Sequence, residues 1–424
     1  MTAKIYIKTF GCTLNKADSE RMAYLLKKAG FQLVDSPEKA ELVIVNTCTV
    51  KNLAERKAIH YVNDLKEKNK KIIVAGCIPK ANPSLFLGHS QISPDQIHQI
   101  VSAVEETLEG NIVEYLATEK INKLKIPSLR SNPIIAIVPI SAGCLGNCAY
   151  CHVKLARGNL FSYPIEDIIE TIKHELNSGA KEIWLTSQDT GCYGLDKGTS
   201  LPELLEEILK IEKKFFIRLG MANPNHVLSF LDELITLFKH PNMFKFLHIP
   251  VQSGSNRILK LMNRKYTAED FKKIVSTFRK EIPEITIATD VICGFPSETE
   301  EEFNQTVELI KETKPDVLNI SRFWPRPNTE AAAMPDQIHG SETKKRSSFL
   351  TAIHTNIARM QNEKWIDWQG EVIIDETGKN NSLIARNYSY KPIVIKSNKQ
   401  LPLGTIVRVK VINITPYDLR AKLL

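Results

Sequence analysis

Residues 134–151 read IIAIVPISAGCLGNCAYC, and the parsing of the whole chain turns on this stretch. Its first eight residues are almost continuously apolar and rich in isoleucine, which suits a strand buried on both faces of a parallel sheet. The loop that leaves this strand carries Cys144, Cys148 and Cys151 at CxxxCxxC spacing. Reactive groups of a parallel β/α barrel gather at the carboxyl ends of its strands, so thiols in the first such loop mark a candidate reaction centre. Three thiolates ligate three irons of a cubane and leave the fourth open to a substrate or cofactor. A zinc finger needs a fourth ligand. His152 directly follows Cys151 and could hardly chelate the same ion, and no partner CxxC lies nearby. Zinc or inert thiols are the alternatives to a cluster.

Working outward, strand-like stretches near 182–187, 215–221, 244–251, 285–293 and 317–323 alternate with amphipathic segments near 165–178, 201–213, 226–239, 267–280 and 299–312. With 134–141 they make six β/α units, a partial or small parallel barrel. Upstream, Lys4–Phe10, Glu41–Thr47 and Lys71–Gly76 read as strands, and Lys16–Gly30 and Leu53–Asn69 as helices, which is a second parallel sheet with right-handed crossovers. Cys12, Cys48 and Cys77 each stand just past one of these strands. Ligands of an open parallel sheet bind outside the carboxyl ends of its strands, so three cysteines distant in sequence converge on one crevice and suggest a second metal site. The alternative is three small core residues. Cys192 and Cys293 have no cysteine neighbour in sequence and are read as buried structural thiols.

Residues 117–133 are basic, contain two prolines and lack a sustained period, as an interdomain connection would. A helical stretch over 341–364 precedes short β-branched strands separated by Gly378-Lys-Asn-Asn, Pro402 and Gly404, which read as a small antiparallel barrel. The expected organisation is an amino-terminal sheet domain over 1–116, a linker over 117–133, the β/α barrel over 134–340, a helical connection over 341–364 and an all-β barrel over 365–424. The fold class is α/β with an all-β carboxyl-terminal barrel.

The chain has 424 residues, 43% hydrophobic and 25% charged, with a formal net charge of +8, so it is an ordinary globular chain with a mild preference for acidic partners. Between Trp365 and Leu424 nine Lys or Arg face five Asp or Glu, which concentrates the positive charge in the last domain. Tyr388, Tyr390 and Tyr417 among these cations are read either as base-stacking groups or as the core of a small barrel. The amino terminus has no apolar run after a basic start, and no apolar run approaches the ~18 residues of a membrane span, so a cytoplasmic protein is expected. Eight cysteines in such a chain are reduced thiols, for metal or catalysis rather than disulfides. Gln188 and Asp189 in LTSQDTGCYG, and Gln252 and Ser253 in HIPVQSGSNRIL, lie where strands run into polar loops and either bind a cofactor or hydrogen-bond their own loop. In GFPSETEEEF, Ser297 with Glu300 has the spacing of a capping box.

The motifs together resemble the radical S-adenosylmethionine (SAM) methylthiotransferases along essentially the whole chain. GCLGNCAYC followed by KLARG (Lys154–Gly158) is similar to their SAM-binding cluster loop, and TFGCTLNKADSE, VNTC and VAGC to the domain that carries their second cluster. PVQSGSNRILKLMNRKYT, TDVICGFPSETEEEF and RPNTEAAAMPDQI are further family-like blocks, and the tail is similar to a TRAM domain, an RNA-binding barrel. The resemblance implies two [4Fe–4S] clusters, one on Cys144, Cys148 and Cys151 that binds and splits SAM, and one on Cys12, Cys48 and Cys77 that supplies sulfur. It implies Tyr150 as a neighbour of the SAM adenine, with Arg157, Gln188, Gln252 and Ser253 as further cofactor-binding residues. The partners implied are a tRNA anticodon stem-loop and a flavodoxin- or ferredoxin-like electron donor, with no membrane. TFGCTLNKADSE is closer to the archaeal and eukaryotic tRNA branch, whose substrate is threonylcarbamoyladenosine beside the anticodon. Isopentenyladenosine in tRNA and a ribosomal-protein side chain are the alternative substrates, and a non-catalytic iron–sulfur RNA-binding protein is a third reading. A threonylcarbamoyl carboxylate suits an arginine fork, for which Arg157, Arg218, Arg322 and Arg326 stand near strand ends; each is otherwise a surface ion pair or a phosphate contact.

Overall fold

The structure, a computed structural model, describes residues 3–49, 52–379, 382–397 and 401–424. Lys399 of the basic tail, and Asn380 and Asn381 of the turn after Gly378, lie outside the described residues. The amino-terminal sheet is parallel throughout and has six strands, in the order Gln32–Leu33, Lys4–Thr9, Leu42–Thr47, Lys71–Gly76, Ser90–Ile92, Glu114–Tyr115. The three central strands are those the sequence announces; the others are two or three residues long, too short to show a period. Every residue of Leu42–Thr47 is buried, because Leu42 and Ile44 pack with Met22, Leu26 and Val104 on one face, and Val43 and Val45 with Ala58, Val62 and Leu65 on the other. The first helix starts at Thr13 rather than Lys16, so Cys12 stands at its N-cap position, directly off the first strand.

All six barrel strands form, at Ile135–Pro139, Glu182–Thr186, Phe216–Leu219, Phe246–His248, Thr286–Cys293 and Val317–Arg322. They pair in parallel as two three-stranded halves, which meet at a bridge between Ile217 and Met243. Helices Ile165–Asn177, Leu201–Leu209, Leu231–Phe238, Ala268–Glu281 and Glu300–Thr313 cover the outside. The last of these is capped by Thr299 and Glu302, not by Ser297 and Glu300. Ser297 has φ +61°, a turn conformation rather than the extended one of an N-cap, and its hydroxyl and carbonyl oxygens accept from Arg257.

Residues 117–133 are a strap rather than a free connection. Lys123 and Leu124 are buried, Arg21 Nε donates to the Lys123 carbonyl over 2.9 Å, and Asn132 Nδ2 reaches the Asp375 carbonyl at 2.8 Å.

Helix Gly340–Glu363 leads to a closed five-stranded barrel, in the order Gln369–Thr377, Ser382–Arg386, Pro392–Lys396, Leu419–Leu423, Ile406–Ile414. Its pairs are antiparallel except Pro392–Lys396 with Leu419–Leu423, which is parallel. A ring with an odd number of strands cannot alternate direction all the way round, so the expected all-antiparallel arrangement gives way at one seam. Tyr390 is core, 4.8 Å from the Phe244 ring and 5.2 Å from Phe246, where it closes the floor of the β/α barrel. Tyr388 packs on Trp365 and Trp368, whereas Tyr417 is 76% exposed. Arg386 and Lys391 are also spent internally, on Asp375 and Asp316, so Lys396, Arg408, Arg420 and Lys422 are the exposed tail cations among the barrel strands.

Phe244 stacks on Phe216 at 4.9 Å and is 1% exposed. Phe244→Ala should destabilise the protein by about 3–5 kcal/mol, seen as a lower urea midpoint of the apoprotein; an unchanged midpoint would show that the floor carries no weight.

Candidate active site

Helix N-termini and strand ends assemble two cysteine triads. In the barrel, the loop over 143–151 is held from several sides. Gly143 N donates to Gln188 Oε1 at 2.7 Å, Cys144 N to the Gly158 carbonyl at 3.2 Å, Lys154 Nζ to the Gly146 carbonyl at 3.1 Å, and Ala149 N to the Met262 carbonyl at 3.1 Å. Gly146 is closely approached, because a Cβ there would stand 3.3 Å from the Cys144 sulfur and 3.7 Å from that of Cys148. Cys144, Cys148 and Cys151 are all partly exposed. Burial pushes the Cys151 thiol up to about 11. A hydrogen bond shared with Cys192 lowers that of Cys144.

Two neighbours of this triad escape a reading along the chain. Cys192 is fully buried, as expected, but lies against Cys144. With Asp189 and His226 it forms a set of ligand-type atoms within 4.8 Å of one another. Asp189 accepts from Gly191 N, Asn223 N and Asn223 Nδ2, contacts that brace the loop. Arg264 places Nη1 3.0 Å from Cys148 Sγ and Nε 2.8 Å from Tyr266 Oη, with Asn223 as a third partner. Its only sequence signal was membership of the NRKYT block.

In the amino-terminal domain, Cys12, Cys48 and Cys77 follow three adjacent strands as expected. A Cβ on Gly11 would lie 2.4 Å from the Cys48 sulfur, and Gly11 has φ +98°, so glycine is obligatory there. Hydrogen bonding with Cys48 pulls the Cys12 thiol down to about 6, whereas burial raises that of Cys77.

The two triads are linked through Arg157, which ends the short helix after the barrel's cysteine loop and is 1% exposed. Its Nη2 lies 2.7 Å from Asn15 Oδ1 and 2.8 Å from Asp18 Oδ2, both on the first amino-terminal helix. Lys123 of the strap pairs with the other Asp18 oxygen at 2.8 Å. Burial alone would raise the Asp18 carboxyl, but Lys123 and Arg157 outweigh it and hold it below its ordinary value. Arg157 Nη1 is buried without a hydrogen-bond partner among the described residues, close to Cys77 and Cys12. Two cations against one carboxylate leave net positive charge beneath the Cys12, Cys48 and Cys77 thiols. Sulfur donors, a spare buried N–H and positive charge fit an anionic iron–sulfur group.

A second interdomain set joins His152 Nδ1 to Thr49 Oγ1 at 2.6 Å, Thr49 to Glu55 at 3.0 Å, and Glu55 to Arg326. His152 is thus engaged with the other domain.

Comparisons with known proteins agree with this geometry. The Radical SAM superfamily matches residues 138–310, the uncharacterized protein family UPF0004 residues 4–93, and the TRAM domain residues 370–424. A relative from Pyrococcus horikoshii named "Probable threonylcarbamoyladenosine tRNA methylthiotransferase" is 44% identical over 402 residues, covering 94% of each chain. The Homo sapiens threonylcarbamoyladenosine tRNA methylthiotransferase is 40% identical over 418 residues, 96% of this chain and 72% of the human one. The chain belongs to the threonylcarbamoyladenosine tRNA methylthiotransferase family. It is a radical SAM enzyme, and its fold is shared with the radical SAM methyltransferase TsrM from Kitasatospora setae at a TM-score of 0.57 and 13% identity, over 78% of this chain and 74% of that one. Like other radical SAM proteins, this family member uses an iron–sulfur cluster and SAM. No helix among the described residues is long and apolar enough to cross a membrane.

Of the other residues singled out in the sequence, Tyr150 stands edge-on to Phe295 at 6.4 Å in a cluster by the cysteine loop, and Gln252 is half-buried with φ +69°. Gln188 serves the loop through Gly143. Ser253 is fully buried, 3.2 Å from Ser255 N and 3.4 Å from Thr306 Oγ1, and Arg157 is enclosed by Asp18 and Asn15, so neither presents a free group to SAM.

Asp18→Asn keeps the shape but leaves Arg157 and Lys123 without a counter-charge. Breaking such a buried set costs about 3–5 kcal/mol, so the variant should melt earlier and be cut faster by protease within 117–133. Parental melting and digestion would show that the network is dispensable.

Proposed function

We propose that the enzyme adds a methylthio group to carbon 2 of threonylcarbamoyladenosine next to the anticodon, using two [4Fe–4S] clusters. The observation that carries this reading is the pair of cysteine triads joined by one buried arginine. One triad alone would suffice to cleave SAM; a second, held against the arginine that ends the helix after the first triad's loop, is what a sulfur-inserting reaction requires. Cluster-bound SAM supplies a radical able to take hydrogen from an adenine C–H too weakly acidic for any side-chain base. Cys144, Cys148 and Cys151 would hold the SAM-binding cluster, with Tyr150, Gln188 and Gln252 around the cofactor and Arg264 balancing charge at Cys148. Cys12, Cys48 and Cys77 would hold the sulfur-donating cluster over Arg157, Asp18 and Lys123.

The amino-terminal domain is assigned to 1–116, the radical SAM domain to 134–340 and the TRAM domain to 365–424, with connections over 117–133 and 341–364. Exposed Tyr417 with Arg408, Arg420 and Lys422 gives the TRAM domain a face that suits an RNA backbone and an unstacked base. A flavodoxin- or ferredoxin-like protein is the electron donor, and the reaction belongs in the cytoplasm with its tRNA.

Two measurements test this. Reconstituted protein should hold about eight irons, and alanine at Cys144, Cys148 and Cys151 should remove about half of them and abolish 5′-deoxyadenosine. Alanine at Cys12, Cys48 and Cys77 should also halve the iron, yet leave 5′-deoxyadenosine formation and stop methylthiolation; full iron in that variant would return these residues to the core. Reduced enzyme given two anticodon stem-loops should modify the one bearing threonylcarbamoyladenosine. Action on only the isopentenyladenosine stem-loop would overturn the substrate and leave the two-cluster chemistry standing.

A further inference from the structure

Side chains along the barrel strands alternate between the helix layer and the lumen. Leu185, Ile217, Leu219, Leu247, Ile287 and Val291 belong to the helix-side core. Their strand neighbours Trp184, Arg218, His248, Asp290 and Asn319 therefore point into the lumen, where Trp184 is in register with Arg218 and Asp290 with Asn319. A filled β/α barrel places branched aliphatic residues at such positions. Here they are aromatic, charged or polar, and all five are only partly buried. Beneath them Tyr390, Phe244 and Phe246 seal the floor. The lumen is closed below by these rings, while the five side chains above them keep part of their surface exposed.

Three of the four arginines considered for carboxylate recognition are committed elsewhere or misplaced. Arg157 is paired with Asp18 and Arg326 with Glu55. Arg322 shares its strand face with Leu318 and Ile320, which pack toward the helices, and is in register with buried Cys293 of the same layer. Arg218 alone faces the lumen. Its guanidinium lies 5.2 Å from the Trp184 and Phe246 ring centres and 5.5 Å from that of Tyr390, a cage of three aromatic faces. The cage supplies no counter-charge. No carboxylate among the described residues pairs with Arg218, and its Nε is buried without a hydrogen-bond partner. Neither lumen carboxylate pairs with it: Glu182 Oε2 accepts from Trp184 Nε1 at 3.1 Å while its Oε1 is buried without a hydrogen-bond partner among the described residues, and Asp290 Oδ2 is 2.5 Å from His248 Nε2. Burial also pushes Glu182 up to about 8, which leaves it largely uncharged at neutral pH. A half-buried cation without an anion costs stability unless a ligand brings the anion.

We propose that Arg218 is the specificity residue that binds the carboxylate of the threonylcarbamoyl group inside the barrel lumen. The aromatic cage fixes the plane of the guanidinium in advance, so little entropy is lost when a carboxylate docks on its fork. A substrate lacking that carboxylate leaves the cation unpaired, and sites built this way reject such analogues strongly. The assignment rests on the substrate proposed above.

The test is binding of fluorescent anticodon stem-loops to the reconstituted enzyme, with three bases compared: threonylcarbamoyladenosine, its carboxylate methyl ester, and adenosine. The parent should prefer the free acid over the ester by roughly ten- to a hundredfold, the range of a charge-assisted contact. Arg218→Gln should lower that preference to about twofold or less while it still binds the adenosine stem-loop, with iron content and melting temperature as checks of folding. Arg218→Lys keeps the charge and loses the fork; it should retain a preference reduced several-fold, and it carries the test if the Gln variant does not fold. A full acid-over-ester preference in either folded variant overturns the assignment to Arg218. A parent that binds acid and ester equally also overturns it, whereas a parent that methylthiolates only isopentenyladenosine overturns the substrate proposal itself.

Discussion

The Asp18 carboxylate, fully buried and shared by Arg157 and Lys123, is the contact on which the rest of the molecule depends. Its three members come from the first helix of the amino-terminal sheet, from the helix that ends the barrel's cysteine loop, and from the strap between the two domains. None can be removed from water alone without a large penalty, and together they satisfy one another only in a single arrangement of the domains. The network therefore sets the distance between two cysteine triads that lie in different domains of the chain. Its surplus positive charge also lies where sulfur ligands would carry negative charge.

The carboxyl-terminal barrel contributes more than a surface for RNA. Tyr390, in the left-handed region at φ +58°, fills the bottom of the β/α barrel, while Arg386 and Lys391 are consumed in ion pairs at that junction. Closing the floor with another domain's aromatic ring frees the barrel from filling its own interior. The upper lumen can then stay open and polar, as a reaction on a bulky modified base demands. The arginines illustrate the division of labour: one joins the triads, one holds the domains at Glu55, one faces the helix layer, and one remains without an anion in the lumen.

Much of this was legible in the chain. The strands that matter are long, apolar and bounded by glycine or proline, so period and length identify them, and cysteines just past their ends declare the candidate centre. What the chain did not announce shares a cause. The two- and three-residue edge strands carry too few residues for a pattern, and they exist because a neighbouring edge pairs with them. The capping box moved from Ser297 to Thr299 because the turn before the helix takes a left-handed residue, which spacing alone does not reveal. Residues 117–133 look like a linker because what buries Lys123 is a carboxylate far away in sequence. Ser253 sits in a polar loop, yet its hydroxyl is enclosed by Thr306 of a later helix.

The sequence by itself determined the chemistry available: six cysteines at strand ends, the class of the barrel, the basic tail and the family, because ligand type and strand periodicity are local properties that survive without coordinates. Tertiary structure decided which of those groups is free to act. Cys192 adjoins Cys144, Arg264 reaches Cys148, and Arg157 and Arg326 are spent on buried carboxylates, while Arg218 is left facing an open lumen. The physical reason is that availability depends on a side chain's partners and on the strand face it occupies. Both are set by contacts between segments that no spacing along the chain records.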